Sequence, residues 1–249
     1  MKYGIIGGTY IESIPGPYVE RAVSTPYGDI VVLERQLDNG DTMYFLSRHG
    51  VMYEHEPSRI NSRANVYGMY KLGVTHLIGI TSVGACDYSY KLGSYCLLSD
   101  FLDFTKTRNS SFERAHRLSL HTGMEDVFDP DLTDALERAI KRRNLAYSGR
   151  GVYACIDGPR FETAAETRML RLLGAQIVGA TIVPEAPLAK SIGMRYACLA
   201  IISNHCTGMA AELRDEAIKE VVRQCRTDAV ELCFDLVNDT VQTAENSKE

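Results

Sequence analysis

The sequence predicts a single α/β domain with a mixed, largely central sheet flanked by helices. Three observations carry that expectation. Short apolar runs alternate with segments of helical periodicity along the whole chain. Several of the runs are apolar at consecutive positions, as in strands covered on both faces. Glycines follow directly after the helical segments, where a left-handed residue closes a helix.

In chain order, the strand candidates are Lys2–Ile6, Ile30–Leu33, Met43–Leu46, His76–Ile80, Tyr95–Leu98, Gly151–Ile156, Gln176–Gly179 and Tyr196–Ile202. The helix candidates lie between them. Pro57–Leu72 ends at Gly73, and Pro130–Asn144 follows Asp129, a good N-cap. Glu162–Leu173 ends at Gly174, and Pro184–Ile192 ends at Gly193. A last helix is expected from about Ala211 to Val241. Its apolar positions Ile218, Val221, Val222, Cys225, Ala229, Leu232, Cys233 and Leu236 recur at helical spacing, as in a helix packed on a core. The polar tail Thr243–Glu249 is expected to fray. No linker, repeat or low-complexity tract divides residues 1–249, so one domain is expected.

Composition narrows the function classes. The formal net charge is −5, which argues against nucleic acid as the main partner, because phosphate backbones need clustered Lys and Arg. One phosphate group needs only two or three local donors and stays open. The seven cysteines include no C-x-x-C pair and read as buried free thiols of a reducing compartment. The N-terminus has no basic segment leading into a long apolar stretch, and no apolar run approaches ~18 residues. A cytoplasmic location without a membrane partner is therefore the expectation.

In open α/β sheets, ligands sit in the loops after strand ends, and the unusual residues fall there. Gly7-Gly8-Thr9 follows the first strand: the glycines permit close backbone approach, and Thr9 adds a hydroxyl and an N–H. The G-x-G-x-x-G dinucleotide fingerprint is absent from this loop. Ser47-Arg48-His49-Gly50 ends another strand and suits an anion clamp, since a guanidinium fork matches two phosphate oxygens. Thr81-Ser82-Val83-Gly84 and Gly179-Ala180-Thr181 add hydroxyls to the same kind of site. Asp157-Gly158-Pro159-Arg160-Phe161-Glu162-Thr163 feeds a ring and a carboxylate into a helix start. The ring suits stacking on a flat heterocycle and the carboxylate suits its N–H donors, while capping of the helix by Glu162 is the plainer alternative. Asn204, at the end of an apolar strand, carries both a donor and an acceptor. Tight turns and solvated surface residues explain each loop singly. Together they offer one set for an anion and one for a flat polar heterocycle. No Ser/His/Asp triad, Walker lysine or zinc spacing competes. That pairing is what N-glycosidic phosphorolysis requires: phosphate attacks an oxocarbenium-like sugar while negative charge grows on the departing purine.

These residues form ordered motifs. They are I-I-G-G-T at the start, T-P-Y-G at Thr25–Gly28, S-R-H-G at Ser47–Gly50, N-S-R-A-N at Asn61–Asn65, G-P-R-F-E-T at Gly158–Thr163 and T-I-V-P-E-A at Thr181–Ala186. On them the chain resembles the trimeric purine nucleoside phosphorylase and methylthioadenosine phosphorylase family, from Lys2 through the C-terminal helix. The resemblance implies a nucleoside-phosphorylase α/β fold, a homotrimer or hexamer, and inorganic phosphate as co-substrate with no cofactor or metal. It implies that Thr9, Arg48, His49, Ser82 and Thr181 hold phosphate, that Phe161 packs on the base, and that Glu162 and Asn204 act on the purine. His121 resembles the residue that reaches into a neighbouring subunit's site.

The resemblance also bears on the substrate. Members using methylthioadenosine typically carry Asp at the Asn204 position in a D-x-D pattern, whereas this chain reads Asn204-His205-Cys206. Members acting on 6-oxopurines carry Asn there and Glu in the F-E-T motif, as here. An Asn can donate to O6 and accept from N7–H, while Glu162 accepts from N1–H. An Asp facing O6 would set acceptor against acceptor, at a cost of about 1–3 kcal/mol. Inosine, guanosine or methylthioinosine are therefore favoured, with methylthioadenosine as the alternative. Ala180 stands where the family usually has Met under the ribose, and Tyr53 where methylthio members often have His. The 5′ group, hydroxyl or methylthio, stays open. A purine-binding protein without turnover and a nucleoside hydrolase using water are the rival readings.

Overall fold

Alternation within single strands builds the two faces of the sheet. In the first strand Tyr3 and Ile5 join one apolar cluster and Ile6 joins the other. Met43 and Phe45 likewise oppose Tyr44 and Leu46, and Ala197, Leu199 and Ile201 oppose Tyr196, Cys198, Ala200 and Ile202. Because both faces are covered, strands of this period-two geometry read as unbroken apolar runs.

The computed structural model describes residues 1–11, 14–50, 54–112, 121–209 and 213–246, with side chains through Val237. Its strands are β1 (Lys2–Gly7), β2 (Val19–Thr25), β3 (Gly28–Gln36), β4 (Thr42–Ser47), β5 (His76–Ala85), β6 (Tyr95–Asp103), β7 (Tyr147–Cys155), β8 (Ile177–Gly179) and β9 (Arg195–His205). Its helices are α1 (Ser62–Lys71), α2 (Pro130–Arg142), α3 (Ala164–Leu172), α4 (Ile182–Ser191) and α5 (Asp215–Asn246). Helices α2 and α5 cover one face with Leu132, Leu136, Ile140, Ala229, Leu232 and Leu236, and α1 and α4 cover the other with Val66, Met69, Ala186 and Leu188. The apolar stripe read along the last helix is therefore core packing. All seven cysteines are buried and free. Among the described residues no helix is long and apolar enough to cross a membrane.

The sheet is mixed, with strand order β2-β3-β4-β1-β5-β8-β7-β6-β9. Strand β1 runs parallel to β4 and β5, and β5 runs parallel to β9. The sequence reading expected a central sheet; in addition, strands β5 to β9 close into a ring. The long β5 makes this possible: it pairs along its length with β9, while Gly84 and Ala85 at its end also pair antiparallel with β8. The parallel strands β1, β4, β5 and β9 bring their carboxyl ends to one edge. The loops bearing the unusual residues meet there.

Several boundaries differ from expectation. Strand β2 has no counterpart among the candidates, because only Val23 of its seven residues is buried and no apolar run marks it. Pro57–Leu72 is not one helix: Pro57–Arg59 form a short 3₁₀ turn, and α1 begins after Asn61, whose side chain accepts the Ala64 N–H. The N-cap of α3 is Thr163, which forms a reciprocal capping box with Glu166. Glu162 therefore lies outside the helix and is free of the capping role.

Candidate active site

One buried ion pair ties the carboxyl edge together. Arg48, just past β4, is 1% exposed. Its Nε and Nη2 donate to the two carboxylate oxygens of Glu185 on α4, at 2.7 and 2.8 Å. Its Nη2 also donates to the Ile6 carbonyl of β1 (3.1 Å) and its Nη1 to the Ile80 carbonyl of β5 (2.7 Å). The Tyr196 hydroxyl of β9 donates to Glu185 Oε1 at 2.7 Å. Burial works against the Arg48 charge, but the Glu185 carboxylate outweighs it and holds the pKa above the ordinary guanidinium value. The bonds to Glu185, Ile6 and Ile80 use four of the five guanidinium N–H groups. The fifth, on Nη1, adjoins Gly8: a Cβ there would stand 2.9 Å from Nη1 and 2.8 Å from the Ile80 carbonyl, so only glycine fits the loop this close.

Over this pair opens a cavity of about 390 Å³. One part of its lining bears hydroxyls and a turn of exposed backbone: Gly8, Thr9, Thr81, Ser82 and Thr181, with His49. Thr181 precedes α4 yet makes no side-chain cap; its Oγ1 lies 3.2 Å from Thr81 Oγ1, and its N–H donates to the buried Tyr153 hydroxyl. His49 is 2% exposed and its Nδ1 lies 2.8 Å from the His55 carbonyl. A carbonyl only accepts, so Nδ1 carries the proton. Burial pushes the imidazole down to about 4, so it stays neutral at pH 7.

A second part of the lining suits a planar ligand: Phe161, Glu162 and Asn204, with Ala180 between the two parts in the chain. Glu162 is buried, its Oε1 accepts the Thr207 N–H at 2.9 Å, and the Cys206 thiol lies beside its carboxylate. Asn204 Oδ1 accepts from the Ser203 hydroxyl (2.9 Å) and Nδ2 donates to the His205 carbonyl (3.1 Å). The amide keeps one lone pair and one N–H. The site thus presents neutral hydroxyl and N–H donors for an anion, and a carboxylate and an amide for a polar ring.

Residues 2–238 match the family model described as the phosphorylase superfamily. The chain belongs to the phosphorylase superfamily. It is 38% identical over 217 residues to a probable 6-oxopurine nucleoside phosphorylase of Thermococcus kodakarensis, covering 84% of this chain and 81% of that one. It is 35% identical over 239 residues to a 6-oxopurine nucleoside phosphorylase of Pyrococcus furiosus, covering 93% and 90%. Among solved structures, it superposes with a TM-score of 0.86 at 25% identity on methylthioadenosine phosphorylase from Schistosoma mansoni in complex with adenine, covering 99% and 96%.

In this superfamily member, eight of the residues singled out from sequence line the one cavity: Thr9, His49, Ser82, Phe161, Glu162, Ala180, Thr181 and Asn204. Arg48 does not line it; its guanidinium is turned inward to Glu185, a partner 137 residues away that no local pattern announces. His121 is exposed and outside the cavity, and Tyr53 lies outside the described residues. Tyr10 and the α5 residues Asp215, Ile218, Lys219 and Val222, which no loop motif marks, also line the cavity. The one available signal was that α5 carries charges on the turn where its apolar stripe begins.

Breaking the buried ion pair strands a charge. Glu185→Ala is expected to destabilise the fold by about 3–5 kcal/mol, read as a lowered denaturation midpoint. A midpoint within experimental error of wild type would show that Arg48 finds other compensation. His49 gives a pH signature. The unfolded imidazole takes up a proton near 6.5 and the folded one only near 4, so stability falls as pH drops through that window. A His49→Asn variant, which does not titrate, should lose less stability than wild type between about pH 7 and about pH 5; equal losses would contradict a buried neutral imidazole.

Proposed function

We infer that this chain is a phosphorolytic enzyme that exchanges the purine of a nucleoside for inorganic phosphate, releasing the free base and a ribose 1-phosphate. The observation that carries the reading is the convergence of two donor and acceptor sets in one cavity. The anion set comes from loops after β1 and β4, the end of β5 and the start of α4, and Glu162 and Asn204 come from elsewhere in the chain. Thr9, His49, Ser82 and Thr181 hold the phosphate. Arg48, turned inward to Glu185, backs this set from behind Gly8 without lining the cavity. Neutral His49, with its proton on Nδ1, meets phosphate with an Nε2 lone pair and so takes a proton-bearing phosphate oxygen. Phe161 packs on the base, and Ala180 leaves a roomy floor beneath the sugar.

Phosphate held below the anomeric carbon attacks as the glycosidic bond breaks, and the departing base gathers negative charge. Asn204 meets a 6-oxopurine along one edge, its N–H on O6 and its carbonyl on a proton at N7. Glu162 Oε2 accepts from N1–H. The favoured substrates are therefore inosine, guanosine or methylthioinosine. Methylthioadenosine is the second reading, and the close structural likeness to a methylthioadenosine phosphorylase supports it. The solvent-exposed position of His121 suits a residue offered to a neighbouring subunit, in a homotrimer or a hexamer built from trimers.

The test is base release from inosine, methylthioinosine and methylthioadenosine, with and without phosphate. Base should appear only with phosphate, and fastest from a 6-oxopurine nucleoside. Release without phosphate would mean a hydrolase, and no release a binding protein. Asn204→Asp should shift relative kcat/KM toward the adenine nucleoside by about tenfold or more. An unchanged ratio would remove Asn204 from its role.

A further inference from the structure

The ladder between β5 and β9 slips at the site. Val83 pairs with Ile202, but the next residue, Gly84, pairs with Asn204, so Ser203 is the extra residue of a bulge. Bulges re-aim side chains and recur beside active sites. Here the slip sends the Ser203 hydroxyl back across the ladder. It lies 3.1 Å from the Val83 carbonyl and 2.9 Å from Asn204 Oδ1, sharing its one hydrogen between two acceptors. Ser203 is 4% exposed and borders the cavity.

The other end of the Asn204 amide is also held. Nδ2 donates to the His205 carbonyl at 3.1 Å. Gly84 lies against it: a Cβ there would stand 3.0 Å from Nδ2, tight enough to push the amide away. The His205 carbonyl can accept only from the amide nitrogen, and the Ser203 hydroxyl adds a bond to the amide oxygen at the other end. A flipped amide would set Oδ1 against the His205 carbonyl, acceptor against acceptor. The carbonyl therefore selects one orientation, and the hydroxyl bond holds its torsion.

We propose that Ser203 is a positioning residue that, through the bulge it occupies, holds the torsion at which the Asn204 amide faces the purine. This rests on the reading of Asn204 as the purine-recognising residue. Without the hydroxyl, Oδ1 loses its inner tether and the amide rotates about a single remaining bond. The orientation that offers N–H to O6 and oxygen to N7–H then becomes one of several. Because the proton at N7 matters most as the base departs, the loss falls on kcat rather than on phosphate binding.

The experiment compares wild type with Ser203→Ala and with Ser203→Cys, which is close in size to serine but a weak donor. Steady-state constants are measured for inosine and adenosine, or their methylthio forms, and for phosphate, with thermal denaturation to confirm folding. Both variants should lower kcat for the preferred nucleoside about tenfold, leave the KM for phosphate unchanged, and shrink the kcat/KM preference between the two purines. A folded variant of either kind that keeps the wild-type preference overturns the proposal, as does a loss confined to phosphate KM. The wild-type preference itself is a separate readout. A wild type that favours adenosine defeats the 6-oxopurine reading, while the change of that preference on substitution still decides the role of Ser203.

Discussion

The carboxyl edge of this sheet depends on one buried ion pair. Arg48 and Glu185 are both inaccessible, and between them they touch β1, β5, α4 and β9 from a loop after β4. Five segments distant in sequence are thereby set at fixed separations. A charge pair in so dry a place gains strongly from its partner and loses heavily without it. The pair also explains why the loop after β1 is glycine at position 8, since any side chain there would strike the guanidinium or the β5 backbone.

Above that anchor, the cavity needs little net charge of its own. Its donors are hydroxyls and backbone N–H groups, its imidazole is neutral, and the acidic balance of the chain does not oppose a single anion held by such fixed dipoles. The purine side works by complementarity of donors and acceptors. Glu162 is kept out of the helix because Thr163 and Glu166 cap α3 by themselves, which releases the carboxylate to face inward. Asn204 is aimed by a slip in strand register. On the proposed reading, specificity rests on where backbone irregularities fall on an otherwise regular sheet.

Much of this was legible in the sequence. The apolar runs marked every central strand because both sheet faces are covered, and eight of the residues chosen from loop chemistry and family resemblance meet in one cavity. What was hidden has physical reasons. Strand β2 is a sheet edge paired only with β3, so its exposed alternation carries no apolar signature. The Arg48–Glu185 pair joins residues far apart in sequence, and nothing in either local motif distinguishes a clamp for an anion from a clamp for a carboxylate. Ser203 falls just past the expected strand Tyr196–Ile202, and nothing in the sequence marks the register shift it makes against β5. The contribution of α5 was masked by its core stripe: Ile218 and Val222 belong to that stripe and also to the wall of the cavity.

Phosphorolysis at this edge requires one cavity that holds an anion and a purine side by side. A crystal structure of the protein with phosphate and hypoxanthine tests this most directly. Phosphate should lie within hydrogen-bond distance of Thr9, Ser82 and Thr181, with hypoxanthine against Phe161 and bonded to Glu162 and Asn204. Ligands bound elsewhere, or a purine in this cavity that touches neither Glu162 nor Asn204, would contradict it.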